Sequence, residues 1–179
     1  MTSSPHTRFY RDPPQLEGLA AALVGRVKPR ILSAGCSTGE EVYTLAMMLG
    51  DSDVVGIDMD ARNIETARRA SYPDAELPPR LRRHLLGSVV EKSVVARCRF
   101  IAGDLLRTGL FGPFDAVLCR NVIIYLDEVV ALELLDRLGR ALAPEGILLV
   151  ARAEILLARR VPSLMAFELA EDVVAFRRA

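Results

Sequence analysis

The sequence predicts an α/β fold: a doubly wound, mostly parallel sheet with helices on its faces and an antiparallel C-terminal strand. Three observations carry that expectation. Short apolar runs alternate with amphipathic helical stretches through most of the chain, the signature of a parallel sheet. The first run, residues 31–34, leads into a turn of small residues, Ser33-Ala34-Gly35-Cys36-Ser37-Thr38-Gly39, that opens a helix. The second run, residues 53–57, is followed by Asp58, about twenty residues beyond that turn, where doubly wound folds place a ribose-binding acid.

The elements follow in order. Asp12-Pro13 reads as an N-cap with proline at the first helical position, and Leu16, Leu19, Ala20 and Leu23 give a helical stripe ending before Lys28-Pro29. Residues 31–34 form a strand. Residues 38–49 form a helix with Val42, Leu45, Ala46 and Leu49 on one face. Residues 53–57 form the second strand, and Asp60 caps a helix holding Ile64 and Ala67. Residues 71–98 break the rhythm with three prolines and the basic cluster Arg80, Arg82, Arg83 and His84; a short helix is expected over 80–86. Strands resume at 98–102 and 114–119. A long amphipathic helix spans 128–142 and stops near Pro144-Gly146. A fifth parallel strand covers 147–151, and residues 173–177 supply the antiparallel hairpin strand.

Composition narrows the function classes. At 179 residues, half hydrophobic and a quarter charged, the chain has the makings of one globular domain with a real core. Its 23 basic and 23 acidic residues balance, which argues against a nucleic-acid-coating surface. Cys36, Cys98 and Cys119 are scattered and no zinc-type spacing occurs, so no metal site is expected and free thiols suit a reducing cytosol. The polar N-terminal stretch lacks a signal core, and the apolar stretch over 147–158, broken by Arg152 and Glu154, is too short to span a bilayer. These features predict a cytoplasmic protein with no membrane insertion. Nothing in them fixes the oligomeric state.

The small-residue turn admits two readings. It can let backbone N–H groups approach a ligand, or it can be a tight connection that packs helix on sheet. No lysine lies in the turn and no GKS/T follows it, which excludes a triphosphate P-loop. Glu40 and Glu41 open the next helix, where carboxylates complement its dipole. They would repel a pyrophosphate and suit a cation. That charge logic points away from NAD and toward S-adenosylmethionine (SAM), with its ammonium and sulfonium. Asp58 suits the ribose hydroxyls, and Asp104 an adenine amino group with Leu105 against the ring.

Several strings resemble a known family: TRFYRDP (7–13), SAGCSTGEEVYTLAM (33–47), GIDMD (56–60), GPFDAVLCRNVIIYLD (112–127), and Ala153-Glu154 where the family has Ser-Glu. They are similar to the SAM-binding domain of the chemotaxis-receptor methyltransferases, the CheR type of protein-glutamate O-methyltransferase. The resemblance implies a Rossmann-like class I SAM-dependent methyltransferase fold. Residues 1–29 would be an N-terminal arm and helix, and residues 30–179 the methyltransferase domain. It implies cofactor contacts from Thr7, Ala34, Gly35, Glu40 or Glu41, Asp58, Met59, Asp104, Leu105, Asn121 and Val122. Arg11 and Tyr125 would line the active site as catalytic residues. Asp104 stands where the family more often has Asn, keeping the acceptor and losing the amide donor. Pro5 stands where the family often has Asn. The family's N-terminal helical docking domain is expected to be missing. The basic run Arg80-Arg82-Arg83 reads as a solvated helix face, with a docking patch as the functional alternative.

The chemistry expected is methyl transfer to a carboxylate, releasing S-adenosylhomocysteine (SAH). The leaving group departs neutral and a glutamate is already ionised at pH 7, so neither general acid nor base is required. Alignment of the reacting atoms then supplies most of the rate. Arg11 offers paired donors to orient the acceptor and Tyr125 one hydroxyl; Arg120 is a third candidate, unless it is tied in an ion pair with Asp58 or Asp115. His6 and His84 sit in no catalytic motif. The Asn/Asp-Pro-Pro-aromatic string of nucleobase amino methylases is absent, so no nucleic-acid partner is expected. The expected partner is a protein with acceptor glutamates, within chemotaxis or another signal-transduction route. Two alternatives stay open: a SAM-dependent enzyme for a small carboxylate or hydroxyl substrate, and a non-catalytic SAM- or SAH-binding signalling module.

Overall fold

The computed structural model describes residues 7–179; Pro5 and His6, both weighed above, lie outside them. A seven-stranded sheet forms the centre. Its strands in chain order are β1 (Arg30–Ala34), β2 (Asp53–Asp58), β3 (Cys98–Ala102), β4 (Phe114–Cys119), β5 (Leu142–Val150), β6 (Leu164–Ala170) and β7 (Val173–Arg178). They lie in the spatial order β3-β2-β1-β4-β5-β7-β6. The first five are mutually parallel, and β7 enters antiparallel between β5 and β6. Strand order reverses at β1, whose neighbours are β2 and β4, so the carboxyl ends of these strands open the crevice that such sheets use for ligands.

Among the described residues, four helices of more than two turns flank the sheet: α1 (Pro13–Ala22), α2 (Glu40–Met48), α3 (Ala61–Arg69) and α4 (Glu128–Arg140). Successive strand residues point to opposite faces and feed two separate cores. Ile31, Leu118 and Leu149 pack with Leu16 and Leu19 of α1, Val42 and Leu45 of α2, and Ile64 of α3. Their chain neighbours Leu32, Val117 and Leu148 pack on the other face with Leu134, Leu135 and Leu138 of α4. Near-continuous apolar strands are the expected cost of covering both faces of a parallel sheet. The connection over 103–113 contains no helix; Leu105, Leu106 and Leu110 cover the sheet there instead.

Several boundaries differ from the sequence reading. Asp12 stands at the N-cap of α1, yet its side chain makes no capping bond, with φ at 57°; its carboxylate lies 3.9 Å from the Arg152 guanidinium. Asp60 does cap α3, accepting from Arg62 N–H at 2.9 Å. The α4 helix stops at Arg140, before the proline expected to stop it. Pro144-Glu145-Gly146 sits inside β5, where the register with β4 shifts between Phe114 and Ala116. Residues there form a bulge rather than a helix end, with Glu145 at φ 58°. The segment after α3 holds two single-turn helices, Pro79–Arg82 and Lys92–Val95, around a ribbon pairing Leu85–Leu86 with Val89–Val90. The C-terminal strand pairs as expected, and its hairpin partner is β6. Among the described residues, no helix is long and apolar enough to cross a membrane.

Candidate SAM site at the carboxyl ends of the strands

A cavity of about 510 Å³ opens at the carboxyl ends of β1 to β4. Its walls come mainly from five places. The segment before α1 supplies Thr7, Arg8 and Arg11; the β1 turn supplies Gly35, Cys36, Ser37 and Glu41; Asp58, Met59, Asp60 and Asn63 follow β2; Gly103 to Leu106 follow β3. Arg120, Asn121, Val122, Tyr125 and Leu126 follow β4 and complete it. Of the thirteen residues singled out from sequence, all but Ala34 and Glu40 line this one space. Ala34 is buried at the end of β1. Glu40 is not part of the wall; it accepts from Thr38 Oγ1 at 2.8 and 2.9 Å and from the wall residue Thr7 through its Oγ1 at 3.2 Å.

The turn after β1 packs as a tight connection, the second of the two readings of its small residues. Gly35 N–H and Cys36 N–H both donate to Ile57 O, at 2.8 and 3.0 Å, and Ser37 N–H donates to Asp58 Oδ2 at 2.8 Å. These amides therefore bond to the end of β2 rather than pointing at the cavity, as buried amides without water require. The glycines are demanded by protein neighbours. A Cβ on Gly35, at φ 77°, would lie 2.4 Å from Val122 Cγ2. One on Gly39, at φ 95°, would lie 2.8 Å from Ala67 Cβ. Gly56 on β2 would strike Cys36 Sγ and Val42 Cγ2, each at 2.8 Å.

Asp58 is the hinge of the site. Its Oδ1 accepts from Asp60 N–H at 2.9 Å and Asn63 Nδ2 at 3.3 Å, while among the described residues Oδ2 accepts only from Ser37. A carboxylate offers about four acceptor positions, so about one remains, on Oδ2. That suits a single sugar hydroxyl. Asp104 accepts from Leu106 N–H at 2.8 Å through Oδ1 and keeps Oδ2 within 3.6 Å of Arg107.

A second polar cluster underlies the arm. Arg120, with its side chain 5% exposed, bonds through Nε to Glu41 Oε2 at 2.7 Å and through Nη1 to Arg11 O at 2.8 Å and Gln15 Oε1 at 3.2 Å. Glu41 also accepts from Ser33 Oγ at 2.7 Å, and Gln15 donates to Val150 O at 2.9 Å. The ion pair expected with Asp58 or Asp115 is thus made with Glu41 instead. Asp115 is taken by Arg26 at 2.7 Å and by Arg30 N–H at 2.9 Å. Glu40 and Glu41, indistinguishable in sequence, diverge because neighbours on a helix point about 100° apart.

The carboxylates leave the turn electrically negative. The Cys36 thiol is pushed well above its ordinary pKa, first by burial, then by Asp58 and Glu41. Cys119, at the end of β4, is raised by burial and then by Glu154 and Glu41. Arg120 offsets Glu41, so the negative charge left at the turn is that of Asp58 and Glu40. Arg8 and Arg11, from the segment before α1, line the same cavity, so its wall carries both acidic and basic side chains. Arg8 and Asn63 carry no sequence signal of their own; both enter the wall through the folding of their neighbours. Arg80 of the basic cluster bonds to Tyr10 and Glu17, and Arg82 Nη1 donates to Ala75 O at 2.8 Å.

Sheet order and crevice are those of the class I SAM-dependent methyltransferase fold. The solved N-methyltransferase NodS from Bradyrhizobium japonicum has the same fold at a TM-score of 0.62, with 19% identity over 96% of this chain and 88% of that one. The model of the family described as "CheR methyltransferase, SAM binding domain" matches residues 5–167, and the chain belongs to that family. It is 35% identical over 176 residues to the "Probable biofilm formation methyltransferase WspC" of Pseudomonas aeruginosa, covering 84% of this chain and 42% of that protein. It is 33% identical to a chemotaxis protein methyltransferase of Campylobacter jejuni, covering 84% of this chain and 64% of the relative. The chain thus spans less than two thirds of these relatives' length.

Proposed function

We propose that the domain of residues 30–179, together with the N-terminal arm and helix expected over 1–29, transfers a methyl group from SAM to a carboxylate of a protein substrate. The observation that carries this reading is one cavity at the carboxyl ends of the strands whose wall brings together Asp58, Asp104, Asn121, Arg11 and Tyr125. Bound SAM would supply an electrophilic methyl on a sulfonium. Asp58 would accept from the ribose through its remaining position on Oδ2, and Asp104 would accept from the adenine amino group. Gly35, Met59, Leu105, Asn121 and Val122 would shape the walls. Glu41, held by Ser33 and Arg120, contributes negative charge near the turn without a free role as a base. Thr7 joins the arm to α2 through Glu40.

The acceptor carboxylate would be oriented by Arg11, which offers a fork of donors, and by the Tyr125 hydroxyl. No residue is required to take a proton, since the acceptor arrives ionised. What the chain supplies is alignment and exclusion of water, terms that reach roughly 7–11 kcal/mol in well-oriented systems. The signalling setting of the full-length relatives makes a receptor-type protein the acceptor of choice.

Two measurements test the reading. Calorimetric titration with SAH should show one site, and Asp58→Asn should weaken it by roughly tenfold, one charged hydrogen bond's worth. Tritiated SAM with a lysate should then place label on protein as base-labile methyl esters. Base-stable label would rule out a carboxylate acceptor, and label confined to small molecules would rule out a protein one.

A further inference from the structure

Glu154 belongs to the Ala-Glu string noted in the sequence, yet the reading above gives it no part. It is 1% exposed, and among the described residues it has no ion-pair partner. Its carboxylate is held by three backbone amides. Asn121 and Ala151 donate to Oε2 at 3.1 and 2.8 Å, and Val122 donates to Oε1 at 3.1 Å. Asn121 is left-handed, with φ 60°, and Val122 right-handed, with φ −110° and ψ −51°. Successive residues of opposite hand aim their N–H groups to one side and form an anion-binding nest. Here the anion comes from the protein itself.

That nest governs the cavity wall. Asn121, Val122 and Tyr125 all line the cavity, whereas Glu154 does not. Val122 fills the space that a side chain at Gly35 would need, and Tyr125 N–H donates to Val122 O at 3.2 Å. Fixing Val122 therefore fixes the separation between the β1 turn and the loop after β4. We propose that Glu154 is the positioning residue for this wall: its carboxylate holds residues 121 and 122 in their strained shape so that the site is built before the nucleoside arrives. The proposal rests on the SAM reading given above.

Glu154→Gln tests it with little change in volume. One amide oxygen can still serve Asn121 and Ala151, but the NH₂ group then confronts the Val122 N–H, donor against donor. The Val122 amide proton should move upfield, and SAH should bind roughly tenfold more weakly, the consequence of one buried donor left unpaired. Ala151→Pro is the control. It removes one of the three donors at a residue whose φ of −66° already suits proline, and it leaves the nest intact. SAH affinity should then stay near that of the wild type. The wild-type chain alone gives a third measurement: the Asn121 and Val122 amides should resist hydrogen exchange before SAH is added. Equal SAH affinity in wild type and E154Q, weakening by A151P as large as by E154Q, or open-loop exchange at 121 and 122 would each overturn the inference. A wild-type chain that binds no SAH would overturn the SAM reading together with it.

Discussion

Individual residues at this site do structural jobs that their type alone does not announce. Arg120 is the clearest case. It looked available for an acceptor, but its guanidinium is nearly buried and ties Glu41, Arg11 O and Gln15 into one cluster. Arg120→Met should leave the Glu41 charge without its partner and cost about 3 kcal/mol, read from urea unfolding. Adding Glu41→Leu should restore part of that loss, since both charges are then gone; if the single variant unfolds at the wild-type midpoint, the cluster is not stabilising. Sequence reading found most of the cavity wall because short polar motifs fall at strand ends, where chain order and space agree. It could not choose between Glu40 and Glu41, nor see why Gly35 is required. The first depends on helical phase, and the second on Val122, which is remote in sequence and adjacent only after folding.

At the level of elements, alternation of apolar runs made the parallel sheet and its helices legible, while irregular joints were not. Pro144-Glu145-Gly146 has the composition of a helix stop and serves as a bulge inside β5. A side chain on Gly146 would meet Ala143 O at 2.8 Å and Phe114 O at 2.9 Å, both backbone atoms that cannot yield easily. Gly146→Ala should therefore lower stability by roughly 1–3 kcal/mol, the usual range for overpacking, with the melting temperature as readout. An unchanged melting temperature would mean that the strand relaxes around the bulge. The segment between α3 and β3 was the least readable, because its two single-turn helices and its ribbon are too short to show a period. Its order comes from tertiary anchors instead. Tyr72 donates to Thr38 O at 2.6 Å and meets Phe9 edge-on at 4.9 Å, so this excursion joins the arm to the β1 turn.

Taken as a whole, the molecule buries acids that ionise only at high pH. Burial raises the Cys36, Cys98 and Cys119 thiols and the Tyr43 and Tyr72 hydroxyls; for Cys98 the value rises to about 12. Each group is neutral when folded and titrates near its ordinary value when unfolded. Their contribution to stability is therefore fully present below the unfolded thiol value, about 8.5, and is lost as pH climbs toward the raised folded values. Urea midpoints should hold steady to about pH 8 and fall steeply above it, and Cys98→Ala should soften the slope. A flat profile to pH 11 would contradict the burial described. The same view gives the arm a practical meaning. The chain enters the described region at Thr7, in the cavity wall, whereas β7 runs against the parallel strands and ends at their opposite edge. A bulky tag or surface tether fused upstream would join the chain within a few residues of that cavity. The same fusion at the carboxyl end would lie at the other edge of the sheet, which makes it the better handle for assays and immobilisation.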